Sequence, residues 1–414
     1  MATKRLSDKA CKAVIEAFKA TKGNRQQAAD LMRLPVNTFK SRLYAAAKRF
    51  EVPVFAEEEI DLDAAIAARR DKNTADLQRR RLKELEEKAA ADRTIREEVF
   101  KLSARPLDPP NWNPRQSKGP HKRESIVLFL SDVHMGEVVS LSAMGGRNSY
   151  NMKIACARLE RYFQHVIKLG TEHWTGPPPD SIYFVLGGDL VSGEIHDELA
   201  KTNDLQAIPA VRILAEALAA GLDLLRRSFP AIPIHVISVP GNHGRNTKKP
   251  ESKEFAINSY DTLVALLLEW WAATKGIKNV TFSAPHTGDA LVNIHGWNVL
   301  FTHGDRIGSR GGSGFVGPAA TAARGMQKIA QDYLAEGQVI DVIVMGHFHT
   351  PLELEYGIVN PSLVGPSEYS RSGRMRSHPS AQWMLSIHPT YGIARRWKIL
   401  CGDKSEGSIY AGRA

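Results

Sequence analysis

The chain has 414 residues, of which 43% are hydrophobic and 24% are charged, so a disordered or collagen-like class is excluded. Three cysteines lie far apart without a CxxC motif, which excludes a disulfide framework and a thiolate zinc site. The net charge of +10, the lack of a signal-peptide pattern and the lack of a membrane-length apolar run together predict a soluble, cytoplasmic protein.

Residues 1–50 contain most of the excess positive charge, with twelve lysines and arginines against three acids. Apolar residues at helical spacing predict a first helix over 8–21, a second over 25–32 and a third that ends near Phe50. Asn37 is predicted to cap the third helix. A small, strongly basic helical module favours nucleic acid over membrane as its partner.

The sequence of residues 23–43 is similar to the helix-turn-helix of Fis-type DNA-binding domains. The small side chains of Ala28 and Ala29 would let two helices cross closely, before a turn and the helix that enters the major groove in such domains. The resemblance implies a DNA-binding domain over 1–52. It also implies that five side chains face DNA, namely Asn37, Thr38, Lys40, Ser41 and Arg42. A three-helix module for protein interaction is the alternative.

Residues 53–104 are rich in charge and have a thin apolar stripe, which predicts a charged helical arm. The spacing of the stripe slips between Ala89 and Ile95, so a solvated helix is favoured over a coiled coil. Pairing of two arms into a homodimer is a hypothesis. Residues 105–123 contain five prolines and no periodicity, as is typical of a linker.

The pattern changes at residue 124 to that of an α/β domain, which we predict to end at residue 402 before a polar tail over 403–414. Short apolar runs rich in β-branched residues predict buried strands at 126–130, 182–186, 234–239, 299–302 and 342–345. The stretches between them predict helices at 152–169, 207–227, 255–274 and 318–336.

Side chains that can bind metal follow each of these predicted strands. They are Asp132 and His134, Asp189, Asn242 and His243, His303, and His347 and His349. Ligands gather at the carboxyl ends of strands in open α/β sheets, so we expect these residues to converge. In the pairs Asp132/His134 and His347/His349, the two residues are two positions apart, so the alternation of a strand would direct both side chains to one side. Carboxylate, imidazole and amide ligands without thiolate suit Mn²⁺, Fe or Zn²⁺ in a binuclear site.

The ordered blocks DVH, GGD, GNH, HGD and GHFH resemble the signature of calcineurin-like metallophosphoesterases, over roughly residues 125–355. The resemblance implies an α/β fold, a β-sandwich flanked by helices, with two divalent metal ions. Mn²⁺ is the expected metal, and Fe, Zn²⁺ or Ni²⁺ are alternatives. The implied ligands are Asp132, His134 and His349 for one ion and Asn242, His303 and His347 for the other, with Asp189 bridging them. His243 is implied to protonate the departing alcohol during in-line hydrolysis of a phosphate ester.

Two positions depart from the family pattern. Gly244 replaces the acid that often follows the GNH histidine, and Ser192 replaces an aspartate of the second block. The GDxVDRG pattern of protein phosphatases is therefore absent, and His243 needs another orienting group. Arg245 and Arg306 are predicted to contact substrate phosphates, because cations beside a bimetal site favour a phosphate chain.

The joining of a DNA-binding head to a phosphoesterase predicts a DNA phosphodiesterase, that is, a nuclease or an end-processing enzyme. The run GHFHTP, which ends at Pro351, resembles the nuclease subunits of double-strand-break repair complexes. A phosphatase or nucleotide phosphodiesterase with a regulatory DNA-binding head is the alternative. A DNA-binding protein with a purely structural metal site is a third hypothesis, which the complete ligand set disfavours.

Overall fold

A computed structural model describes the chain over residues 6–53, 62–104, 110–112, 121–307 and 317–410. The chain divides into two compact units, Met1–Pro114 and Arg115–Ala414. Most of the predicted linker at 105–123 lies outside the described residues. Within the described ranges, no helix combines the length and the apolar composition that crossing a bilayer requires.

The first unit begins with three short helices, α1 (Asp8–Ala20), α2 (Arg25–Leu31) and α3 (Val36–Phe50). The side chain of Asn24 caps α2, because it accepts hydrogen bonds from the N–H groups of the second and third helical residues. The apolar faces of the three helices share one small core, which contains Val14, Ala17, Ala28, Ala29, Phe39 and Leu43. The two alanines are fully buried, so α2 packs closely against its neighbours.

The predicted cap of the third helix is wrong. The N-cap position of α3 is Pro35, and Asn37 lies in the first helical turn with an exposed side chain. Proline is well tolerated where a helix starts, because its fixed φ suits the turn and the first N–H groups have no helical partner.

Most of the predicted arm is one helix, α4 (Leu62–Ala104), which is 43 residues long. The described side chains along residues 66–101 are all exposed. They include apolar residues such as Leu77, Leu82 and Leu85, which are 58% to 67% exposed.

The second unit contains two β-sheets. The strands of the larger sheet are β1 (Ser125–Leu130), β2 (Ile182–Leu186), β3 (Ile234–Ser238), β4 (Val280–Ser283), β10 (Ala381–His388) and β11 (Gly392–Leu400). Their spatial order is β11-β10-β1-β2-β3-β4. Strands β1 to β4 are parallel, whereas β10 is antiparallel to β1 and to β11.

The smaller sheet contains β5 (Ala290–Ile294), β6 (Trp297–Thr302), β7 (Val342–Met345), β8 (Leu352–Leu354) and β9 (Gly357–Val359). Their spatial order is β5-β6-β7-β9-β8. Strands β6, β7 and β9 are parallel, and the outer strands β5 and β8 are antiparallel to their neighbours.

The helices of this unit are α5 (Met152–Thr171), α6 (Asp197–Thr202), α7 (Ala207–Ser228), α8 (Tyr260–Thr274), α9 (Gly317–Ala335) and α10 (Glu368–Ser372). Side chains alternate between the faces of β1, so that Leu128 packs with α5, α7 and α8, and Phe129 packs between the two sheets. On the smaller sheet, Leu300 and Ile343 pack with α9. The predicted fold class, an α/β sandwich flanked by helices, is confirmed for this unit.

The five strands and four helices predicted for this unit are present and differ from the observed ones at their ends, whereas β4, β5, β8 to β11, α6 and α10 were not predicted. The five predicted strands are present, with ends shifted by two residues at most. The helix predicted at 255–274 begins later, at Tyr260, because Ser259 caps it by accepting from the N–H of Asp261.

Residues 403–410 are packed against the second unit and are not a free tail. Glu406 is 5% exposed and pairs with two arginines of α5. Its Oε2 atom is 2.8 Å from Nε of Arg158, which is fully buried and also donates to two backbone carbonyls after β9. Glu406, one of the polar residues that suggested a tail over 403–414, therefore supplies the counter-charge of a buried arginine. Residues 411–414 of the predicted tail lie outside the described residues.

Candidate metal centre

The loops that follow β1, β2, β3, β6 and β7 meet at one end of the sandwich. Hydrogen bonds of the backbone continue past the strands, because the N–H of Asp132 donates to Gly188 and that of Gly346 donates to His303, each over 3.0 Å. Loops from the same sheet are therefore held in register where their polar side chains begin.

Five of the predicted ligands have a left-handed backbone, with φ between 47° and 68°. They are Asp132, His134, Asp189, His347 and His349. This conformation is uncommon and costly for residues other than glycine, and it clusters at functional sites. Since β1 ends at Leu130 and β7 ends at Met345, strand alternation does not direct the paired ligands, and that part of the prediction is wrong. Successive tight turns bring their side chains together instead.

The first cluster contains Asp132, His134 and His349, whose ligand atoms all lie within 4.8 Å of one another. Nε2 of His349 is 3.2 Å from Oδ1 of Asp132 and also 3.2 Å from Nε2 of His134. Two imidazole nitrogens that face each other this closely need a proton or a cation between them.

The second cluster contains Asp189, His303 and His347, again within 4.8 Å of one another. Oδ2 of Asp189 is 3.0 Å from Nε2 of His303 and 4.0 Å from Nε2 of His134 in the first cluster. Asp189 therefore lies between the two clusters, at the place where a bridging ligand is expected.

The donor atoms fit a pair of divalent cations. Among the described residues, the buried Oδ1 of Asn242 has no hydrogen-bond partner, which is costly unless a ligand occupies the site. Nδ1 of His303 is 2.9 Å from the carbonyl of Gly187, which can only accept. When the ring is neutral, its proton is thus on Nδ1, and Nε2 presents its lone pair to the centre.

The electrostatics of the centre differ between its imidazoles. Although burial opposes the shift, the carboxylate of Asp189 raises the pKa of His303 well above its ordinary value and that of Asp132 raises the pKa of His349, so a cation that binds these two rings displaces a proton. Burial lowers the pKa of His134 well below its ordinary value, so this imidazole is neutral. Burial would raise the pKa of Asp189, but the facing imidazoles of His303 and His243 hold it well below its ordinary value. A neutral imidazole beside an ionised carboxylate is what cation binding requires.

The ring of His243 is oriented by a backbone carbonyl. Nδ1 of His243 is 2.9 Å from the carbonyl of Ser192, so Nδ1 donates and Nε2 is left for another partner. Its ring centroid is 4.6 Å from that of His134. Asn203 fixes the Ser192 segment, because its side chain accepts from the Ser192 hydroxyl and donates to the carbonyl of Gly193. The orienting group is therefore the main chain of Ser192.

The sequence interpretation missed Asp261, which ties two of the site loops together. Its fully buried carboxylate accepts from the N–H groups of Asp189 at 3.1 Å, Leu190 at 2.9 Å and Gly241 at 2.8 Å. Burial raises the pKa of Asp261 to about 6. An acid in the first turn of a helix is usually explained by the helix dipole, so the sequence held no specific signal for this role.

Two glycines leave room for these carboxylates. A Cβ at Gly244 would lie 2.5 Å from Oδ2 of Asp261, and one at Gly241 would lie 2.1 Å from Oδ1 of Asp189. The carboxylate of Asp261, supplied by α8, thus occupies the volume that a side chain at Gly244 would need.

A second missed group lies beneath Asp132. The hydroxyl of Ser131 donates to Oδ2 of Asp132 over 2.5 Å and accepts from Nδ2 of Asn360 over 2.9 Å. The side chain of Gln382 accepts from the N–H of Ser131 over 2.9 Å. These partners come from β10 and from the segment after β9, more than 200 residues from Asp132, so no local pattern indicated them.

The predicted substrate arginines lie on the loops around the site. The guanidinium of Arg245 donates to the carbonyls of Asn242, Thr247 and Lys248, so it fastens the loop after β3. Arg306 is exposed and stacks over the ring of Phe255, with Cζ 3.3 Å from the centroid. Contact of either arginine with a phosphate stays a prediction.

The five residues predicted to face DNA lie on α3. Asn37, Thr38 and Ser41 are exposed, whereas Lys40 and Arg42 are partly buried. DNA contact by these side chains also stays a prediction.

The sequence matches the calcineurin-like phosphoesterase family over residues 126–351. No curated protein matches the chain. One similar solved structure is the phosphopantetheinyl hydrolase of Mycobacterium tuberculosis, with 13% sequence identity and a TM-score of 0.25. The similarity covers 61% of this chain and 93% of that hydrolase.

Replacement of Asp261 by asparagine is expected to weaken the metal centre without unfolding the protein. An amide NH₂ would face backbone donors that now meet a carboxylate, so metal affinity or turnover should fall about 10- to 100-fold, as for other residues that support metal ligands. Mn²⁺ titration of phosphodiester dye hydrolysis measures this effect. Glu269→Gln, which removes an exposed acid from the same helix, is the matched control. Equal Mn²⁺ dependence of both variants would contradict the assigned role.

Proposed function

Because the chain belongs to the calcineurin-like phosphoesterase family of metal-dependent phosphoester hydrolases, we propose that it is a phosphodiesterase that acts on DNA. The observation that supports this choice is the presence, in one chain, of a basic three-helix module and a centre with two ligand clusters. The proposal places the enzyme in the nuclease-like branch of the family and residues 1–52 in the role of a helix-turn-helix that brings it to DNA.

Seven side chains would hold the two cations. Asp132, His134 and His349 would bind one, Asn242, His303 and His347 the other, and Asp189 both. When bound, such a pair of cations lowers the pKa of water and stabilises charge on the phosphoryl oxygens. Oxygen and imidazole ligands suit Mn²⁺, with Fe, Zn²⁺ and Ni²⁺ as the alternatives that a metal titration would separate.

His243 would act as the general acid. Its Nδ1 is engaged by Ser192, so a proton on Nε2 is the one available to a leaving alkoxide. The N–H of His243 also donates to Oδ1 of Asp189 over 2.7 Å, which fixes the backbone of this residue relative to the proposed bridging ligand.

The three-helix module offers DNA a short exposed helix face. Asn37, Thr38 and Ser41 lie on one side of α3, and the partly buried Lys40 and Arg42 flank them. Arg49 pairs with Asp8 over 2.5 Å and donates to the carbonyl of Leu6, so it stabilises the bundle. The proposed DNA contacts therefore centre on the amino-terminal half of α3.

Cleavage of DNA is the direct test of this proposal. In Mn²⁺, the full chain should cut end-labelled DNA, and His134→Ala should abolish the cleavage. Lys40→Gln/Arg42→Gln should weaken cleavage of long DNA but leave phosphodiester dye hydrolysis unchanged, because only DNA reaches the head. Lys9→Gln/Lys19→Gln removes two exposed cations from α1 as the control. Absence of DNA cleavage beside strong phosphomonoester hydrolysis would favour a phosphatase with a regulatory DNA-binding head.

The general-acid role predicts a dependence on the leaving group. His243→Ala should slow DNA cleavage about 100-fold or more, because the departing alkoxide needs a proton. Nitrophenolate leaves as a stable anion, so hydrolysis of a nitrophenyl phosphodiester should fall far less. His165→Ala, on the exposed surface of α5, is the control. Equal losses on both substrates would indicate that His243 only supports the structure.

We also propose that α4 pairs two chains into a homodimer. The helix exposes several large apolar side chains, which a charged helix that stays solvated does not need. They are Leu77, Leu82, Leu85 and Val99. Sedimentation equilibrium should give a dimer for the native chain and a monomer for Leu82→Lys/Leu85→Lys. Glu86→Gln, on the same helix, should leave the dimer intact. A native monomer at micromolar concentration would refute the pairing.

A further inference from the structure

A short segment with three arginines begins close to the metal centre. The N–H of Leu363 and the hydroxyl of Ser362 both donate to the carbonyl of Asp132, each over 3.1 Å. Helix α10 begins at Glu368, five residues beyond Leu363, so its start is within roughly 17 Å of that contact. We call residues 368–376 the α10 segment.

The α10 segment is fastened to the loop that follows the first ligand pair. Oε1 of Glu368 accepts from the N–H of Ser140 over 2.8 Å, and the guanidinium of Arg371 donates to the carbonyl of Ala143 over 2.7 Å. The same loop contains Glu137, whose carboxylate is 3.7 Å from Nδ1 of His134. The segment is therefore attached to the loop whose Glu137 contacts His134 of the first cluster.

The exposed face of the segment is basic and contains one aromatic ring. Residues 371–376 are all exposed, and Tyr369 is 75% exposed. Glu368, the acid of the segment, is already bonded to Ser140. Within the part of the chain that the structure describes, the side chains of Arg374 and Arg376 have no hydrogen bond or ion pair. Two such guanidinium groups beside a phosphoesterase centre suit a phosphate chain.

We propose that the α10 segment binds the DNA strand beside the scissile phosphate, an inference that rests on the proposed DNA phosphodiesterase function. Arg374 and Arg376 bind phosphates of the strand that carries the scissile phosphate. Tyr369 stacks on an unpaired base, as exposed aromatic rings do in proteins that bind single strands. A small phosphodiester is too short to reach the segment.

The inference is tested in the full chain with Arg374→Gln/Arg376→Gln. Steady-state kinetics on end-labelled single-stranded DNA should show KM raised about 10-fold or more, and the salt dependence should lose a slope of about 1.4, or 0.7 for each phosphate. Hydrolysis of bis(p-nitrophenyl) phosphate should be unchanged, which also shows that the variant is folded.

The matched control is Lys275→Gln/Lys278→Gln. These exposed lysines lie just before β4, at the end of the sheet opposite the site, so KM for DNA should stay within about 2-fold of native. Tyr369→Ala should raise KM for single-stranded DNA more than for duplex DNA.

The outcomes separate this inference from the function on which it rests. A native chain that cuts DNA with an unchanged KM in the arginine variant overturns the inference and leaves the DNA phosphodiesterase intact. An equal rise of KM for DNA in the lysine and arginine variants also overturns the inference, because the effect then comes from the net charge of the protein and not from these two arginines. A native chain that cuts no DNA overturns both.

Discussion

The second unit depends on two carboxylates, Asp132 and Asp189, that are buried almost completely beside imidazole rings. A buried carboxylate is stable only when its charge is balanced and its oxygen atoms are hydrogen-bonded. Here the balance comes from the facing histidines and, in the metal-bound enzyme, from the cations themselves. The left-handed backbone of both residues shows that the loops accept local strain to place these charges. The strands that end beside them supply the rigid support.

The hydrogen bonds around these carboxylates show how the site is supported although Gly244 and Ser192 depart from the family pattern expected from the sequence. Asp261 holds the loops after β2 and β3 from the start of α8, and Gly244 leaves the room that its carboxylate needs. Ser192 provides a backbone carbonyl, and not a side-chain acid, to orient His243. These supporting groups come from different parts of the chain, since what a ligand or an acid requires is a partner at the right distance.

The charges outside the centre suggest how a long polyanion is selected over a small ester. Basic residues of the three-helix module and the arginines of the α10 segment are separate in sequence, and each is attached to a rigid element. In the proposed function, both would make contacts that a small phosphodiester cannot make, and discrimination between substrates would reside in binding energy remote from the reacting phosphorus. Arg245, by contrast, donates three hydrogen bonds to carbonyl groups of its own loop. Its position in the sequence beside the GNH block did not indicate this structural role.

The sequence by itself determined the five strands that lead into the metal centre, the long helices and the candidate ligand blocks, because hydrophobic period and motif order are local properties. It did not predict β4, β5 and β8 to β11. It gave the strand ends to within two residues, as the stretch 182–186 illustrates without any shift. Only the tertiary structure decided the left-handed turns at Asp132 and His347, the role of Asp261 and the burial of Glu406. Each of these depends on groups far apart in the chain, whose approach is set by how the sheets and helices pack. A local sequence pattern does not encode such long-range contacts. The candidate metal ligands could therefore be predicted from the sequence, whereas the residues that support them could not.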